Sequence, residues 1–301
     1  MRVARVLVSA PPPAANLEAF PSDFAGEESA LPRAAILRDD AIYDVEALEA
    51  ALGASIDRGD PSDFHARVAT LRCAGLYDLD ARLLRGERPS SARIPNAQAM
   101  LLAPCDTDRA SLIHVDTRLV ERGASAVCRI GQARSLLGQD ALIGVRAAED
   151  VELEVSIAVV IGDDLASADS RAAAAAIMGY AIFADWIATP PDSAGLATVR
   201  GVSAALGPAL VSRYTLPKLG EARASVRTGE GTFVSGAVNE MPCSIPDAVS
   251  MASRELELRS GDVVAVGPLP RASSLKLKLH QRVEIAIDGL GALCGTAVAR
   301  R

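Results

Sequence analysis

Three carboxylate side chains lie in strongly apolar surroundings, at positions that would bring two of them together. Glu152 and Glu154 stand at the start of an apolar run, and Asp185 lies within the segment Tyr180–Trp186. On a β-strand, residues two apart face the same side, so Glu152 and Glu154 would present their carboxylates together. Like charges this close repel each other unless a cation lies between them, and oxygen ligands of this kind suit Mg²⁺ or Ca²⁺. The alternative is a solvated strand edge with a helix cap, and the residue types leave both open.

One histidine is placed for proton transfer. His114 lies between Asp108 and Asp116, and a nearby carboxylate would orient its imidazole for acid–base work near neutral pH. The other two histidines, His65 and His280, are expected to be surface or packing residues. The same packing role is the alternative for His114.

The five cysteines are widely spaced and odd in number, and no CxxC pair occurs, so neither a zinc knuckle nor a redox dithiol is supported. We expect free thiols at Cys73, Cys105, Cys128, Cys243 and Cys294. A further alternative is acyl chemistry at Cys105 or Cys128 with His114 as the base, because such a dyad forms in space and not along the sequence.

The composition narrows the class of protein. The chain has 301 residues, a formal net charge of −7, 50% hydrophobic residues and 3% aromatic residues. A half-apolar chain of this length can bury a large core, which argues against global disorder. An acidic chain with few rings argues against nucleic acid as a partner. The segment Met1–Ala10 is short, charged and followed by prolines, so we expect a cytoplasmic protein without a membrane anchor.

The elements that must position these side chains are mostly strands. The near-continuous apolar run Leu153–Ile161 predicts a buried strand, and the pattern returns to strand at Tyr180–Phe183. Helices are predicted at Ser170–Ile177 and, after Pro246, at Asp247–Glu257. Further strands are predicted at Arg2–Ser9, Ala209–Ser212, Ala224–Arg227, Thr232–Val234, Val263–Val266 and Val283–Ile287. Strands and helices do not alternate regularly, so the predicted fold class is α+β and strand-dominated, not a doubly wound sheet.

A boundary between two domains is predicted near the polar, proline-bearing segment Arg85–Pro95. We therefore expect a small N-terminal α+β domain at residues 1–95 and a larger, catalytic domain at residues 96–301. The first domain is predicted to contain the helix Val45–Leu52, which ends at Gly53, and a second helical stretch within Asp63–Leu84.

Five segments, taken in order, resemble the fumarylacetoacetate hydrolase (FAH) superfamily. They are Glu152–Leu165, Gly179–Trp186, Ala205–Val211, Ser260–Pro268 and Val283–Leu293. The resemblance covers about two thirds of the chain, from roughly Leu101 onward. It implies a strand-rich catalytic domain of the β-roll type, a homodimer, and a site that holds Mg²⁺ or Mn²⁺, or else Ca²⁺, through acidic residues. It also implies a small 2-oxo acid or 1,3-dicarbonyl substrate, whose metal-bound enolate forms as a C–C bond breaks.

The metal ligands that the resemblance implies transfer only in part. The first Glu of the family's Glu-x-Glu motif falls on Glu154, and the second falls on Ser156, where there is no carboxylate. Glu152 would substitute for it only through a bulge or a shift of register. The third ligand falls on Asp185, and the upstream acid falls on Asp108.

The residues that the resemblance implies for substrate and proton transfer also depart from the pattern. The catalytic His falls on Val115, so that His114 is one position early as the general base. The family's Lys falls near Thr198, with Arg200 as the nearest cation to bind a substrate carboxylate. Its Thr-Gly-Thr-Pro stretch is replaced around Gly267 by a sequence whose proline cannot donate a hydrogen bond.

Two functions follow. The first is an FAH-superfamily hydrolase or lyase with a degenerate metal site, which carries out C–C bond hydrolysis, decarboxylation or hydration. In it Ser156, Thr198 and Gly267 would contact the substrate. The second is a catalytically impaired or metal-independent homologue that keeps the fold to bind a ligand or a partner.

Overall fold

The computed structural model describes residues 1–8, 32–56, 74–121, 128–145, 151–188, 204–272 and 275–299. The strands are β1 (Arg2–Val8), β2 (Arg33–Arg38), β3 (Ala41–Asp44), β4 (Arg93–Ile94), β5 (Ala99–Leu102), β6 (Ser111–Asp116), β7 (Cys128–Gln132), β8 (Leu136–Leu137), β9 (Ala141–Val145), β10 (Val151–Ile161), β11 (Ile177–Ala188), β12 (Ala204–Ser212), β13 (Arg223–Thr228), β14 (Gly231–Ala237), β15 (Val263–Gly267), β16 (Leu275–Leu277), β17 (Arg282–Ile287) and β18 (Gly291–Ala299). The α-helices are α1 (Val45–Leu52), α2 (Ala74–Leu84), α3 (Thr117–Glu121), α4 (Ser170–Ala176) and α5 (Ile245–Glu255).

The strands form two sheets, and the predicted strand-dominated α+β class is confirmed. The large sheet has the order β4-β3-β2-β1-β12-β11-β10-β15-β6-β7, with β5, β8 and β16 paired beside β1, β12 and β10. The small sheet has the order β14-β13-β17-β18-β9. Most pairs are antiparallel, but β15 lies parallel to β6, β18 lies parallel to β9, and β12 lies parallel to β8.

Strands from the predicted N-terminal domain belong to the large sheet. β1 pairs with β2 along one edge, and its first residues, Arg2 and Val3, pair with β12. The predicted linker Arg85–Pro95 includes β4, which pairs with β3. The division at residue 95 stays a prediction, and the hydrogen-bonded sheet continues across it.

The strand β10 is the centre of the large sheet, and its two faces serve two different cores. It pairs with β11 in an unbroken register from Val151 to Val160. Val155, Ile157 and Val159 face a core shared with the small sheet and with α4 and α5. Ala158 and Val160 face a second core that includes residues of β1, β2 and α1. A strand buried on both faces reads as a continuous apolar run, which explains why the pattern at Leu153–Ile161 predicts it.

The helices α4 and α5 pack against each other, and α5 also contacts β6, β7 and β15. Ser244 caps α5 by accepting a hydrogen bond from the backbone N–H of Asp247, and Pro246 lies in its first turn. The helix predicted at Asp247–Glu257 is thus confirmed, shifted by two residues towards the N-terminus. Among the described helices, which reach 11 residues, none is long and apolar enough to cross a membrane.

Candidate functional site

A pocket lies on one face of the large sheet, where β7, β6, β15, β10 and β11 bring polar side chains together. Its lining includes His114, Asp116, Arg129, Glu154, Ser156, Phe183, Asp185, Gly267 and Pro268. Because residues two apart share a face of a strand, Glu154 and Ser156 continue the row that Ala158 and Val160 begin in the second core. The pocket therefore lies on the same face of β10 as the second core, at the end of the strand where that face becomes polar.

The strand registers fix which of these residues are neighbours. Glu154 lies opposite Asp185, and Ser156 lies opposite Phe183, in the antiparallel pairing of β10 with β11. On the other side, Gly267 of β15 lies beside Asp116 of β6 in the parallel pairing. Two buried carboxylates are thus direct cross-strand partners, and a third enters from β6.

Gly267 is required by its closeness to Ser156. A Cβ atom at position 267 would lie 2.2 Å from Oγ of Ser156 and 3.0 Å from its Cα. The first distance is far too short for two non-bonded atoms, and the second is tighter than most Cβ contacts. β10 and β15 therefore approach each other closely here because position 267 has no Cβ. Ser156 is a small, polar side chain, and it lines the pocket at this point together with Gly267.

Arg118 joins two of the carboxylates. Its Nε and Nη2 atoms donate to the two carboxylate oxygens of Asp116 at 2.9 Å and 2.8 Å. Its Nη1 lies 3.0 Å from Oε1 of Glu154. The Arg118 backbone N–H also donates to Oδ1 of Asp116, at 3.1 Å. This is a bidentate arginine–carboxylate pair with a second acid on the remaining side of the guanidinium.

The pKa values of this pair record the same contacts. Burial acts to raise the pKa of Asp116, but hydrogen bonds and positive charge from Arg118, with a contribution from Arg129, hold that pKa below its ordinary value. The hydrogen bond to Asp116 and the charge of Glu154 raise the pKa of Arg118, against the effect of its burial. Both groups are therefore charged over the whole physiological range.

His114 and Arg129 complete the pocket from β6 and β7, where they are register partners. The imidazole packs edge to face against Phe183, with ring centroids 5.1 Å apart. Nη2 of Arg129 lies 3.8 Å from Oδ2 of Asp116, and the Arg129 side chain is 45% exposed. Arg129 thus places a cation at the solvent side of the pocket.

The predicted site residues divide into three groups. His114, Glu154, Ser156, Asp185 and Gly267 are brought together at the pocket. Their roles stay predictions. The loop residue Asp108 and the strand residue Glu152 lie elsewhere, and Arg200 and Thr198 fall outside the described residues.

Asp108 and Glu152 are not brought to the pocket for simple geometric reasons. The Asp108 side chain is 79% exposed in the turn before β6, and Arg134 lies 3.6 Å from it. Glu152 lies between Ile187 and Lys276 in the register, farther along β10 than Glu154. Since β10 has no bulge between Val151 and Val160, it does not move Glu152 into the place of Ser156.

The sequence pattern does not identify Asp116, Arg118 and Arg129 as site residues. In the sequence Asp116 stands out only as a neighbour of His114, although a spacing of two on a strand places both side chains on one face. Arg118 follows β6 at the start of α3, and its contact with Glu154 spans strands far apart in sequence. The one feature of the sequence that points to them is an acid and an arginine two residues apart, Asp116 and Arg118, where β6 ends.

The cysteines do not supply a nucleophile in the described residues. Cys105 is buried, and burial raises its pKa to about 12. Burial also raises the pKa of Cys128, which lies opposite Val115 in the register. A reactive cysteine requires a thiolate, so both side chains are inert thiols near neutral pH.

Fold and site define a strand-rich α+β protein with carboxylates and guanidiniums gathered on one sheet face. Residues 109–298 match the family described as Fumarylacetoacetate (FAA) hydrolase C-terminal. This match covers more than half of the chain, and the chain therefore belongs to the fumarylacetoacetate hydrolase family. Membership of this superfamily, predicted from five segments, is confirmed. Among curated proteins, none matches the sequence.

Solved structures share the fold over the whole chain. Maleylpyruvate hydrolase from Sphingobium sp. SYK-6, in complex with manganese(II) and pyruvate, has a TM-score of 0.71 at 19% identity, with 100% of both chains covered. Fumarylacetoacetate hydrolase from Exiguobacterium antarcticum has a TM-score of 0.69 at 18% identity, with 100% of both chains covered. 5-Carboxymethyl-2-hydroxymuconate delta-isomerase from Mycobacterium smegmatis has a TM-score of 0.66 at 18% identity, with 100% of both chains covered. At these identities the similarity establishes a common fold.

The described residues do not fit a divalent ion. Such an ion requires several oxygen ligands that converge on one point. Here the guanidinium of Arg118 is bonded to Asp116 and lies against Glu154, and Ser156 stands where the family has a second Glu. Within the described ranges, no group of three or more His, Cys, Asp or Glu side chains is placed to hold a metal. The predicted ligand Asp185 is at the pocket, but its neighbours on this face are already committed to arginine.

Proposed function

We propose that this chain is an enzyme that acts on a small 2-oxo acid or 1,3-dicarbonyl compound, as a hydrolase or lyase, by C–C bond hydrolysis, decarboxylation or hydration. One observation carries the proposal: His114, Glu154, Asp185 and Arg129 line a single pocket. An imidazole can transfer a proton and a partly exposed guanidinium can bind a substrate carboxylate, and this chemistry uses both roles. The family membership supports enzyme activity in general, since the solved relatives include hydrolases and an isomerase.

Arg129 is the residue that we assign to the substrate carboxylate. Its guanidinium lies at the pocket and is partly exposed, at a longer distance from Asp116 than the tightly bound Arg118. A planar guanidinium recognises a carboxylate through two parallel hydrogen bonds. The role that the sequence predicts for Arg200 thus falls to Arg129 within the described part of the chain.

His114 is the residue that we assign to proton transfer. In the hydrolysis of a 1,3-dicarbonyl compound, a water molecule loses a proton as its oxygen bonds to one carbonyl carbon. The bond from that carbon to the central carbon then breaks, and the central carbon leaves as an enolate. The proton taken by His114 returns to the enolate carbon, which restores the enzyme. The packing of the ring against Phe183 holds it in one orientation for both transfers.

The remaining properties belong to the same proposal. We propose a homodimer in the cytoplasm, with a small molecule as partner and neither nucleic acid nor membrane. The predicted cofactor, Mg²⁺ or Mn²⁺ with Ca²⁺ as the third choice, rests on the family and on the manganese complex of the Sphingobium protein. The proton transfers assigned to His114 do not involve it, because Asp116 and Glu154 are paired with Arg118.

The second candidate function is a ligand-binding homologue without turnover. The observation that favours it is the loss of a carboxylate at Ser156 together with the neutralisation of Asp116 and Glu154 by Arg118. A fold does not fix a function, and such a pocket would still bind a small acid through Arg129.

Turnover distinguishes the two candidates. The purified chain is incubated with acylpyruvates, including maleylpyruvate, and with oxaloacetate, and the loss of enol or dicarbonyl absorbance is followed with product analysis. We expect turnover of at least one compound, abolished in His114→Asn and kept in the matched surface variant His280→Asn. Saturable binding of these acids without any product would overturn the enzyme proposal and support the second candidate.

A further inference from the structure

Arg118 lies between two of the carboxylates that line the pocket, where a metal cation would otherwise be expected. Three of its nitrogen atoms are used, two on Asp116 and one against Glu154. The two acids come from β6 and β10, strands separated in the sheet by β15. A guanidinium that contacts both therefore ties the two sides of the pocket together, as a metal ion bound to both would do.

The charges at the pocket agree with this placement. Asp116, Glu154 and Asp185 bring three negative charges, and Arg118 and Arg129 bring two positive charges. Two guanidiniums supply the same positive charge as one divalent ion. Ser156 adds no further carboxylate beside Glu154, so the two arginines leave only one of the three acids without a matching positive charge.

Arg118 is also more firmly fixed than a surface ion pair. Its side chain is 32% exposed, and both of its acidic partners are buried. Its backbone N–H and its side chain bond the same Asp116 carboxylate, which sets the orientation of the planar group. Displacing an arginine from a buried, bidentate pair of this kind is energetically unfavourable, so a metal ion from solution does not readily take its place.

We propose that the guanidinium of Arg118 replaces the divalent metal at this site, so that the pocket binds its small carboxylate ligand without a metal ion. Arg118 holds Asp116 and Glu154 together, and Arg129 faces the ligand. The inference rests on the proposed function only for the location of the site. It requires no turnover.

Metal binding by the folded protein tests the proposal directly. Titration calorimetry and the electron paramagnetic resonance of free Mn²⁺ are measured at millimolar Mn²⁺ on wild type, on Arg118→Gln with Ser156→Glu, and on Arg118→Lys. Wild type and Arg118→Lys are expected to show no saturable Mn²⁺ binding, because each keeps a cation between the acids. The double variant, which removes the cation and restores a carboxylate, is expected to bind Mn²⁺ at least about tenfold more tightly than wild type.

The control is Arg134→Gln, which removes an exposed arginine from its contact with Asp108 and is expected to behave as wild type. If the double variant does not fold, Arg118→Gln alone is compared with wild type, and the same direction of change is expected. Saturable Mn²⁺ binding by wild type at submillimolar concentration would overturn the proposal. So would equal Mn²⁺ affinity in wild type and in the folded double variant. Because no substrate is present, these outcomes are independent of whether any oxo acid is turned over.

Binding of a small acid is measured separately, with pyruvate as the probe and a chelator in the buffer. We expect Arg129→Gln to weaken pyruvate binding at least about tenfold relative to wild type, since a charge-assisted bidentate contact is lost. Pyruvate binding that appears only after Mn²⁺ is added would contradict the metal-free site.

Discussion

His114 and Phe183 meet edge to face, with ring centroids 5.1 Å apart, although two strands lie between the strands that carry them. Neighbouring strands are about 4.8 Å apart, so the backbones of β6 and β11 are separated by roughly 14 Å. The rings meet because the residues beneath them are small. Ala265 and Ala158 are in register with His114, and Gly267 lies against Ser156.

Substituting Gly267 by Ala is expected to destabilise the fold and to close part of the pocket. The added Cβ would lie 2.2 Å from Oγ and 3.0 Å from Cα of Ser156, so that β10 and β15 must separate. Overpacking of this kind costs about 1–3 kcal/mol of unfolding free energy. Urea unfolding of wild type and variant measures it.

The matched control is Gly220→Ala, where an added Cβ would meet Cβ of Asn239 at an ordinary 3.6 Å. Its unfolding free energy is expected to stay within about 0.5 kcal/mol of wild type. Equal stability of Gly267→Ala and wild type would show that the two strands are not held at this distance.

Replacing Arg118 by Met is expected to lower the unfolding free energy by about 2 kcal/mol at neutral pH. This loss lies between the cost of breaking an exposed ion pair and the cost of breaking a fully buried one. The cause is that Asp116 and Glu154, both buried, lose their shared cation. Arg134→Met is the control, since its exposed pair with Asp108 contributes about 1 kcal/mol or less. Equal losses in the two variants would contradict a special role for Arg118.

The same pair predicts a pH dependence of stability. The pKa of Asp116 in the folded state lies below its ordinary value of 3.8, despite burial, because of the hydrogen bonds and charge of Arg118. A depressed pKa of an acid contributes stability that is present above 3.8 and is lost as the pH falls through the folded-state value. Unfolding measured from neutral to acid pH should therefore show a steeper loss for wild type than for Arg118→Met. If the unfolding free energies of wild type and Arg118→Met fall in parallel as the pH is lowered, Asp116 is not the source of the pH dependence.

The fold was predictable to the extent that local patterns carry it. The run Leu153–Ile161 gives β10 because both of its faces are buried, and Val45–Leu52 gives α1, which ends at Gly53 in the left-handed conformation. The resemblance to the family located Glu154, Ser156 and Asp185 on strands whose register makes Glu154 and Asp185 direct partners. These positions depend on short-range spacing within a strand.

What the sequence did not predict depends on pairing between distant strands. The parallel pairing of β6 with β15 places Asp116 beside Gly267, and the start of α3 then directs Arg118 to Glu154. The resemblance to the family predicts Asp108 as a ligand, but Asp108 precedes β6 in an exposed turn. The spacing of residues in the sequence does not show whether an acid lies in the turn before β6 or at the end of β6. The pocket lies at that end, where Asp116 is the last residue.

Stability at alkaline pH should report the burial of Cys105. Burial raises the pKa of this thiol from 9.0 to about 12, because the thiolate loses its hydration. A raised folded-state pKa contributes stability that is fully present below 9.0 and is lost as the pH rises towards 12, by about 1.4 kcal/mol for each pH unit in that window. Since other groups also titrate there, the quantity to measure is the difference in unfolding free energy between wild type and Cys105→Ala. Cys105→Ala should lose stability to a small cavity below pH 9, and this deficit should shrink and reverse as the pH rises. A difference that stays constant with pH would show that the Cys105 thiol ionises as readily in the folded protein as in the unfolded chain.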